Sequence, residues 1–394
     1  MTGSQGASDA VTSGAVTHDE QGTRKRPGRK GTARKATRSN KPSTIRDVAA
    51  KAGVSVATVS RALAGNYPVS AETRARIMAA VESLHYVVNV HAKALSGRVP
   101  GPVALVIKDI TGPSLAQVAA GVEQEASGRD RLSLVCSTHG DQDREDALVQ
   151  LMREQHAAAV VLVGGVVPDD AYHRRMSEYA KALDAAGSRL VLVGRPPLPS
   201  GIPATVVEYD NRGGAYQAVT HLLTAGHRRV LFLSGEAGLS SAEQRRHGCR
   251  DALRAHAVPY DAHLDVPGPY TRTSGYRRTQ EALRVGLDFT AVFAGTDAVA
   301  VGALAALREA GLRVPRDVSL VGFDDIPFAA DLAPSLTTVR VPYEELGRTA
   351  ARLALDREED LAEDSHVILS TQLVIRDSVG PVKRTAARPV AGSG

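Results

Sequence analysis

The sequence predicts a small all-α head of the helix-turn-helix type, followed by an α/β core built as two doubly wound parallel-sheet lobes. Three observations carry this expectation. Residues 44–63 read as two capped helices around a glycine turn. From Val103 onward, short β-branched runs alternate with amphipathic helical stretches. A chain of 394 residues, 43% of them hydrophobic, exceeds the size at which one core stops growing and can fill several.

Residues 1–43 are rich in Ser, Thr, Gly and Arg and hold no apolar run able to offset the entropy of ordering, so a disordered basic tail is expected. Between Arg24 and Lys41 this tail carries nine Lys/Arg and no acid. Such a run suits contact with a polyanion, and a solvated charge run with no partner fits it as well.

The head, 44–90, begins with Thr44 as the cap of a helix whose Ile45, Val48 and Ala49 face inward. Gly53 suits a left-handed turn, and Ser55 caps a second helix carrying Val59 and Leu63. A third helix, capped by Ser70, places Ile77, Val81 and Leu84 at i, i+4 and i+7 to close a three-helix core. The second helix leaves Val56, Ala57, Ser60 and Arg61 on its first turns, the end that enters a major groove. Arg61 can form a bidentate pair with guanine, Val56 and Ala57 can touch a thymine methyl, and Ser55, Thr58 and Ser70 can hold phosphates. Double-stranded DNA is the partner this surface predicts.

Residues 91–99 offer about two turns of helix, too short to persist alone in water. Beyond them, 100–380 should form the two-lobed core, with strands expected at Val103–Ile107, Leu132–Cys136, Ala159–Val163, Leu190–Val193, Arg229–Leu233, Ala291–Ala294, Ser319–Gly322 and Val367–Arg376. A small ligand belongs at the carboxyl ends of such strands. A short basic tail, 381–394, is expected to be disordered and carries no leucine heptad.

Several classes are excluded. No apolar stretch reaches the roughly 18 residues of a membrane span, and the N-terminus lacks the zones of a secretory signal, so a soluble, cytoplasmic protein is expected. Cys136 and Cys249 lie more than a hundred positions apart without metal-ligand spacing, so no metal or cofactor is expected. No nucleophile elbow, phosphate loop or paired His/Cys set supports an enzyme, and the neighbours Asp324 and Asp325 point apart on an extended segment.

The head is similar to that of the lactose-repressor/galactose-repressor (LacI/GalR) family. The resemblance rests on Ile45-Arg-Asp-Val-Ala, Ala52-Gly-Val-Ser, Thr58-Val-Ser-Arg, Val69-Ser-Ala-Glu-Thr-Arg and Leu84-His-Tyr-Val-Val-Asn89, with Tyr86 and Asn89 included among the DNA-facing positions. It continues through Asp210-Asn-Arg-Gly-Gly-Ala, Val321-Gly-Phe-Asp-Asp and Leu336-Thr-Thr-Val to about residue 380. It implies a periplasmic-binding-protein-like core, a homodimer and an approximately palindromic operator. By the same resemblance the hinge becomes helical on DNA and wedges Leu95, flanked by Ala92 and Lys93, into the minor groove. The first lobe would take 101–207 and 342–360, and the second 208–339 and 362–380.

Carried over residue by residue, the effector site comprises Arg245, Asp324, Tyr270 and Ser241, joined by Thr296 and by Lys108 at the mouth of the first strand. An arginine fork, a carboxylate and an aromatic platform suit a sugar. Asp297 is expected to cap the helix that carries Ala300 to Leu307. The chain departs from the family at Thr296-Asp297, at Gly112-Pro-Ser-Leu and at Gly194-Arg195, where a common aspartate is replaced, which leaves the effector's identity open. Two regulator types fit: a repressor of sugar uptake or catabolism genes released by a sugar, and a global regulator controlled by a protein or phosphorylated co-regulator.

Overall fold

The computed structural model describes residues 43–64, 69–86, 101–356 and 366–382. Two compact units result, one reaching to Val88 and one beginning at Asn89. The hinge residues Asn89, Ala92, Lys93 and Leu95 lie outside the described residues, as do 1–42 and 383–394 of the two tails.

The head consists of α1 (Ile45–Ala52), α2 (Val56–Ala64) and α3 (Ala71–Ser83). Thr44 and Asp47 form a capping box on α1, and Gly53 ends that helix at φ 66°, a conformation that suits glycine. The Ser55 and Ser70 hydroxyl oxygens accept from the amides of Thr58 at 3.1 Å and Thr73 at 3.3 Å, capping α2 and α3. Val48, Val59 and Ile77 are fully buried at the centre, ringed by Ile45, Leu63, Val81, Leu84 and Tyr86.

The first lobe of the core holds β1 (Val103–Ile107), α4 (Pro113–Ser127), β2 (Ser133–Ser137), α5 (Gln142–Glu154), β3 (Ala159–Val163), α6 (Asp170–Asp184), β4 (Arg189–Val193) and β5 (Ala204–Tyr209). After crossing to the second lobe the chain returns as α11 (Tyr343–Leu355) and β10 (His366–Leu369). The strands form one parallel sheet in the order β10-β5-β4-β3-β1-β2. Val103, Leu105 and Ile107 pack on one face with Val118 and Val122 of α4 and Ala350 of α11. Ala104 and Val106 pack on the other face with Val149 of α5 and Met176 of α6. Burial of both faces explains the unbroken apolar run of β1. A Cβ at Gly121 would lie 1.9 Å from the Glu344 carbonyl oxygen, and one at Gly347 2.1 Å from that of Val118. These two glycines therefore let α4 and α11 cross in backbone contact.

The second lobe holds α7 (Asn211–Thr224), β6 (Val230–Leu233), α8 (Ser240–Ala255), α9 (Arg272–Arg284), β7 (Ala291–Ala294), α10 (Asp297–Glu309) and β8 (Ser319–Val321). Its parallel sheet runs β6-β7-β8, with α7 and α8 on one face and α9 and α10 on the other. β9 (Thr338–Arg340) and β11 (Gln372–Val374) form an antiparallel pair.

Two expectations change. β5 and β9 were not anticipated, because each lies in a segment where the chain passes between lobes and takes its identity from a partner strand. The run Val367–Arg376, expected as one strand of the second lobe, is two strands. β10 pairs in parallel with β5 in the first sheet, and only β11 pairs with β9.

Candidate functional site

On the head, Val59 points into the core and fixes the orientation of α2, so Val56, Ala57, Ser60 and Arg61 share the exposed side. Val56, 41% exposed, is an apolar group presented to solvent at the start of the helix. The Arg61 Nε donates to the Ala57 carbonyl at 3.3 Å, which lays the side chain along that surface. Thr58 is half-buried and exchanges a 2.8 Å hydroxyl contact with Ser55. The Thr44 hydroxyl donates to Asp47 at 2.8 Å, and with the Thr44 amide it holds that carboxyl below the usual range. Ser70 donates its hydroxyl to Thr73, while Tyr86 is partly buried on the head core.

In the core, Arg245 occupies the second turn of α8 and is only 2% exposed. Its Nε donates to Asn211 Oδ1 at 2.9 Å, one terminal nitrogen donates to the Gly295 carbonyl, and the other donates to the Tyr209 hydroxyl at 3.1 Å. The guanidinium lies 3.7 Å from the Phe323 ring centroid, 5.4 Å from that of Tyr270, and 3.8 Å from Asp324 Oδ1. Burial works against its charge, yet the surrounding phenols and the Asp324 carboxylate leave its pKa raised.

Asp324 follows β8 at φ 121°, backbone strain of the kind held at functional sites. The Tyr343 hydroxyl donates to its Oδ1 at 2.7 Å. Burial pushes its carboxyl up to about 6, against the opposing effects of Arg245 and Tyr343. Asp325 turns the other way, to Arg340 and Arg376 at 2.7 Å each. The two carboxylates do point apart, but the cause is the positive φ of both residues, 121° and 54°, and not the extended backbone expected from the sequence.

Tyr270 rests on the ends of β6 and β7. A Cβ at Gly235 would fall 2.5 Å from its ring, and one at Gly295 2.6 Å. Its hydroxyl is buried without a partner among the described residues, and burial pushes the phenol up. Ser241 starts α8 where the lobes meet, and a Cβ at Gly165 of the first lobe would lie 2.8 Å from its hydroxyl. Beside it, Ser240 joins Val166 by two bonds of 2.8 and 3.2 Å.

Thr296, not Asp297, caps α10, accepting from the Val299 amide at 3.3 Å. Asp297 instead ties three segments, accepting from the Ile326 amide at 2.9 Å and from the Thr338 hydroxyl at 2.5 Å. A Cβ at Gly322 would approach this carboxylate to 2.1 Å, which explains the glycine.

The structure thus gathers Arg245, Asp324 and Tyr270, sets Ser241 at the lobe contact, and leaves Lys108 exposed beside Gly140. Sequence reasoning missed Tyr209, Asn211, Phe323 and Tyr343, although Tyr209 and Tyr343 are aromatics at the ends of segments joining the lobes, a usable signal. Arg195 points into the first lobe, where it pairs with Glu145 at 2.8 Å, and its charge is committed there. A cavity of about 460 Å³ bounded by Phe232, Cys249 and Tyr260 includes none of the predicted effector residues.

A helix-turn-helix head followed in the chain by an α/β core of two parallel-sheet lobes defines a DNA-binding class of regulator. Residues 44–89 match the model for bacterial regulatory proteins of the lacI family, and 219–379 match a periplasmic binding protein-like domain. The chain is 32% identical to the HTH-type transcriptional regulator DegA of Bacillus subtilis (strain 168) over 343 residues, covering 86% of this chain and 98% of that one. Among solved structures, it is similar to the Lac repressor dimer bound to operator and the anti-inducer ONPF, with TM-score 0.73, 25% identity and coverage of 86% and 100% of the two chains. It is also similar to a transcriptional regulator CelR–cellobiose complex, with TM-score 0.62, 33% identity and coverage of 85% and 99%. The chain belongs to the LacI family of DNA-binding transcriptional regulators, which are not enzymes. No described helix is long and apolar enough to cross a membrane.

Proposed function

We propose that the chain is a cytoplasmic, sugar-responsive repressor that binds an approximately palindromic operator as a homodimer and leaves it when a sugar occupies the cleft between the core lobes. The observation that carries this reading is the group formed by the buried Arg245, Asp324 and Tyr343 with the partly buried Tyr209 and Tyr270 at the strand ends where the lobes meet. Arginine and carboxylate offer donors and acceptors for adjacent hydroxyls, and the rings offer an apolar face. The similarity to a regulator complexed with cellobiose, and to a repressor dimer on its operator, supports both halves of the reading.

In this proposal the exposed side of α2 reads base edges through Arg61, with Val56 and Ala57 against thymine methyls. Ser55, Thr58 and Ser70 approach phosphates. Leu95 wedges the minor groove, so effector closure that separates two hinges loosens the head. The test is to select operators with the full-length protein and follow release against a panel of mono- and disaccharides that includes cellobiose. Release by one class of sugar supports the reading. Retention against the whole panel, with release or tightening by a phosphorylated protein, would favour the co-regulator alternative.

A further inference from the structure

We propose that Arg278 is a positioning residue for effector recognition: it pins the Val266–Tyr270 segment to the end of β6, so that Tyr270 is held over Arg245 as a fixed wall of the cleft. This rests on the reading of the cleft as the effector site.

Arg278 sits on the second turn of α9 and takes part in no ion pair among the described residues. Its guanidinium is directed at backbone. One terminal nitrogen donates to the Ser234 carbonyl at 2.6 Å and to the Val266 carbonyl at 2.7 Å, and the other donates to the Pro269 carbonyl at 3.4 Å. Nε donates to Ser274 of its own helix at 3.3 Å. Ser234 directly precedes Gly235, the residue on which the Tyr270 ring rests. One planar group therefore joins the end of β6 to both ends of the segment that carries Tyr270. Gly268 lets it pass, since a Cβ there would lie 3.2 Å from Arg278 Cδ and Nε.

A second tie acts at the segment's start. The Asp265 carboxylate accepts from Ser234 Oγ at 2.5 Å, Arg246 Nε at 2.7 Å and the Tyr260 hydroxyl at 2.8 Å. Tyr270 has no comparable tie of its own, because its hydroxyl is without a partner among the described residues. Its place over Arg245 is therefore set by packing and by the backbone that Arg278 holds. A fork of several fixed donors serves several carbonyls at once, which a lysine ammonium on a flexible stem does less well.

The chain contains no tryptophan, so Tyr270→Trp creates a single reporter in the full-length protein. Acrylamide quenching is measured without any effector, in the Arg278 background and with Arg278→Gln, Arg278→Lys and, as a control for lost stability, Leu307→Ala in the same lobe. Arg278→Gln is expected to raise the quenching constant about twofold, Arg278→Lys by less, and Leu307→Ala not at all. Unchanged quenching in Arg278→Gln, or an equal rise in Leu307→Ala, would overturn the proposal.

Should the indole not fit between Gly235 and Gly295, hydrogen–deuterium exchange replaces it. Amides 266–271 should exchange about tenfold faster in Arg278→Gln than in the unaltered chain while α10 is unchanged, and equal rates would overturn the pin. Because neither readout uses a sugar, failure of the sugar panel would strike the effector reading and leave these results intact. If sugars do release operator, Arg278→Gln should raise the concentration needed more than Leu307→Ala does, and equal shifts would overturn the role in recognition.

Discussion

Replacing Asp324 by asparagine keeps the shape of the side chain and its hydrogen bond from Tyr343 but removes a carboxyl that burial has moved from an ordinary 3.8 to about 6. A native state that holds the proton more tightly than the unfolded chain gains stability as pH falls through about 6 and loses it as pH rises from about 4 to about 6. At pH 7.5 the charged carboxylate, 7% exposed, therefore disfavours folding by about 3 kcal/mol relative to the same group in water. Part of this is relieved at pH 5, where the native carboxyl is mostly protonated, and the difference between the two pH values is about 1 to 2 kcal/mol. Other groups titrate in the same window, among them His227, whose pKa burial lowers, and Asp297, which burial and then the Asp324 charge push up, so the proton bound on acidification belongs to the Asp297–Asp324 pair. The quantity to compare is therefore the change in urea-unfolding free energy from pH 7.5 to 5 in the unaltered chain minus that in Asp324→Asn. The account predicts an extra stabilisation of about 1 to 2 kcal/mol on acidification that the asparagine variant lacks. Equal changes in the two proteins would refute the placement of Asp324 as a buried, proton-retaining group.

Arg245→Met should destabilise the core by about 3 to 5 kcal/mol, because Asp324, Asn211 and the Gly295 carbonyl lose a buried partner. A loss under about 1 kcal/mol in urea unfolding would show that the guanidinium is not the hub of this cluster. Arg61→Ala should cost about 1 to 3 kcal/mol on the selected operator and much less on a scrambled duplex, and equal losses on both would reduce Arg61 to a phosphate contact. Gly121→Val should force α4 and α11 apart and destabilise by more than about 1 kcal/mol in the same unfolding assay, whereas an unchanged midpoint would contradict the backbone crossing.

The head was legible almost throughout, because capping oxygens, a turn glycine and inward apolar spacing are local signals that Thr44, Gly53, Ser55 and Val59 carry in one stretch of chain. Strands buried on both faces, such as β1 and β3, were equally plain. What escaped depends on partners distant in sequence. β10 is a first-lobe strand only because β5 lies beside it, and β5 itself follows a loop rich in proline. The residues proposed for the effector site could be named from the sequence as types, but their surroundings could not. Nothing near Arg245 in the chain reveals that Tyr209, Asn211 and Gly295 already engage its donors, or that Tyr270 covers it. The transfer of the helix cap from the expected Asp297 to Thr296 has the same cause. Both suit a helix start, and only the fold brings Ile326 and Thr338 to the aspartate and leaves the cap to the threonine.

The central claim is that occupation of the cleft and grip on the operator are two sides of one equilibrium, and reciprocity tests it most directly. The affinity of the releasing sugar is measured by calorimetry on the free protein and on the protein saturated with operator, and operator affinity is measured with and without saturating sugar. The account predicts that the sugar binds the operator complex more weakly by the same factor by which it weakens operator binding, about 5- to 150-fold. Equal sugar affinity in the two states, or release that persists undiminished in Arg245→Met at the same sugar concentration, would contradict it.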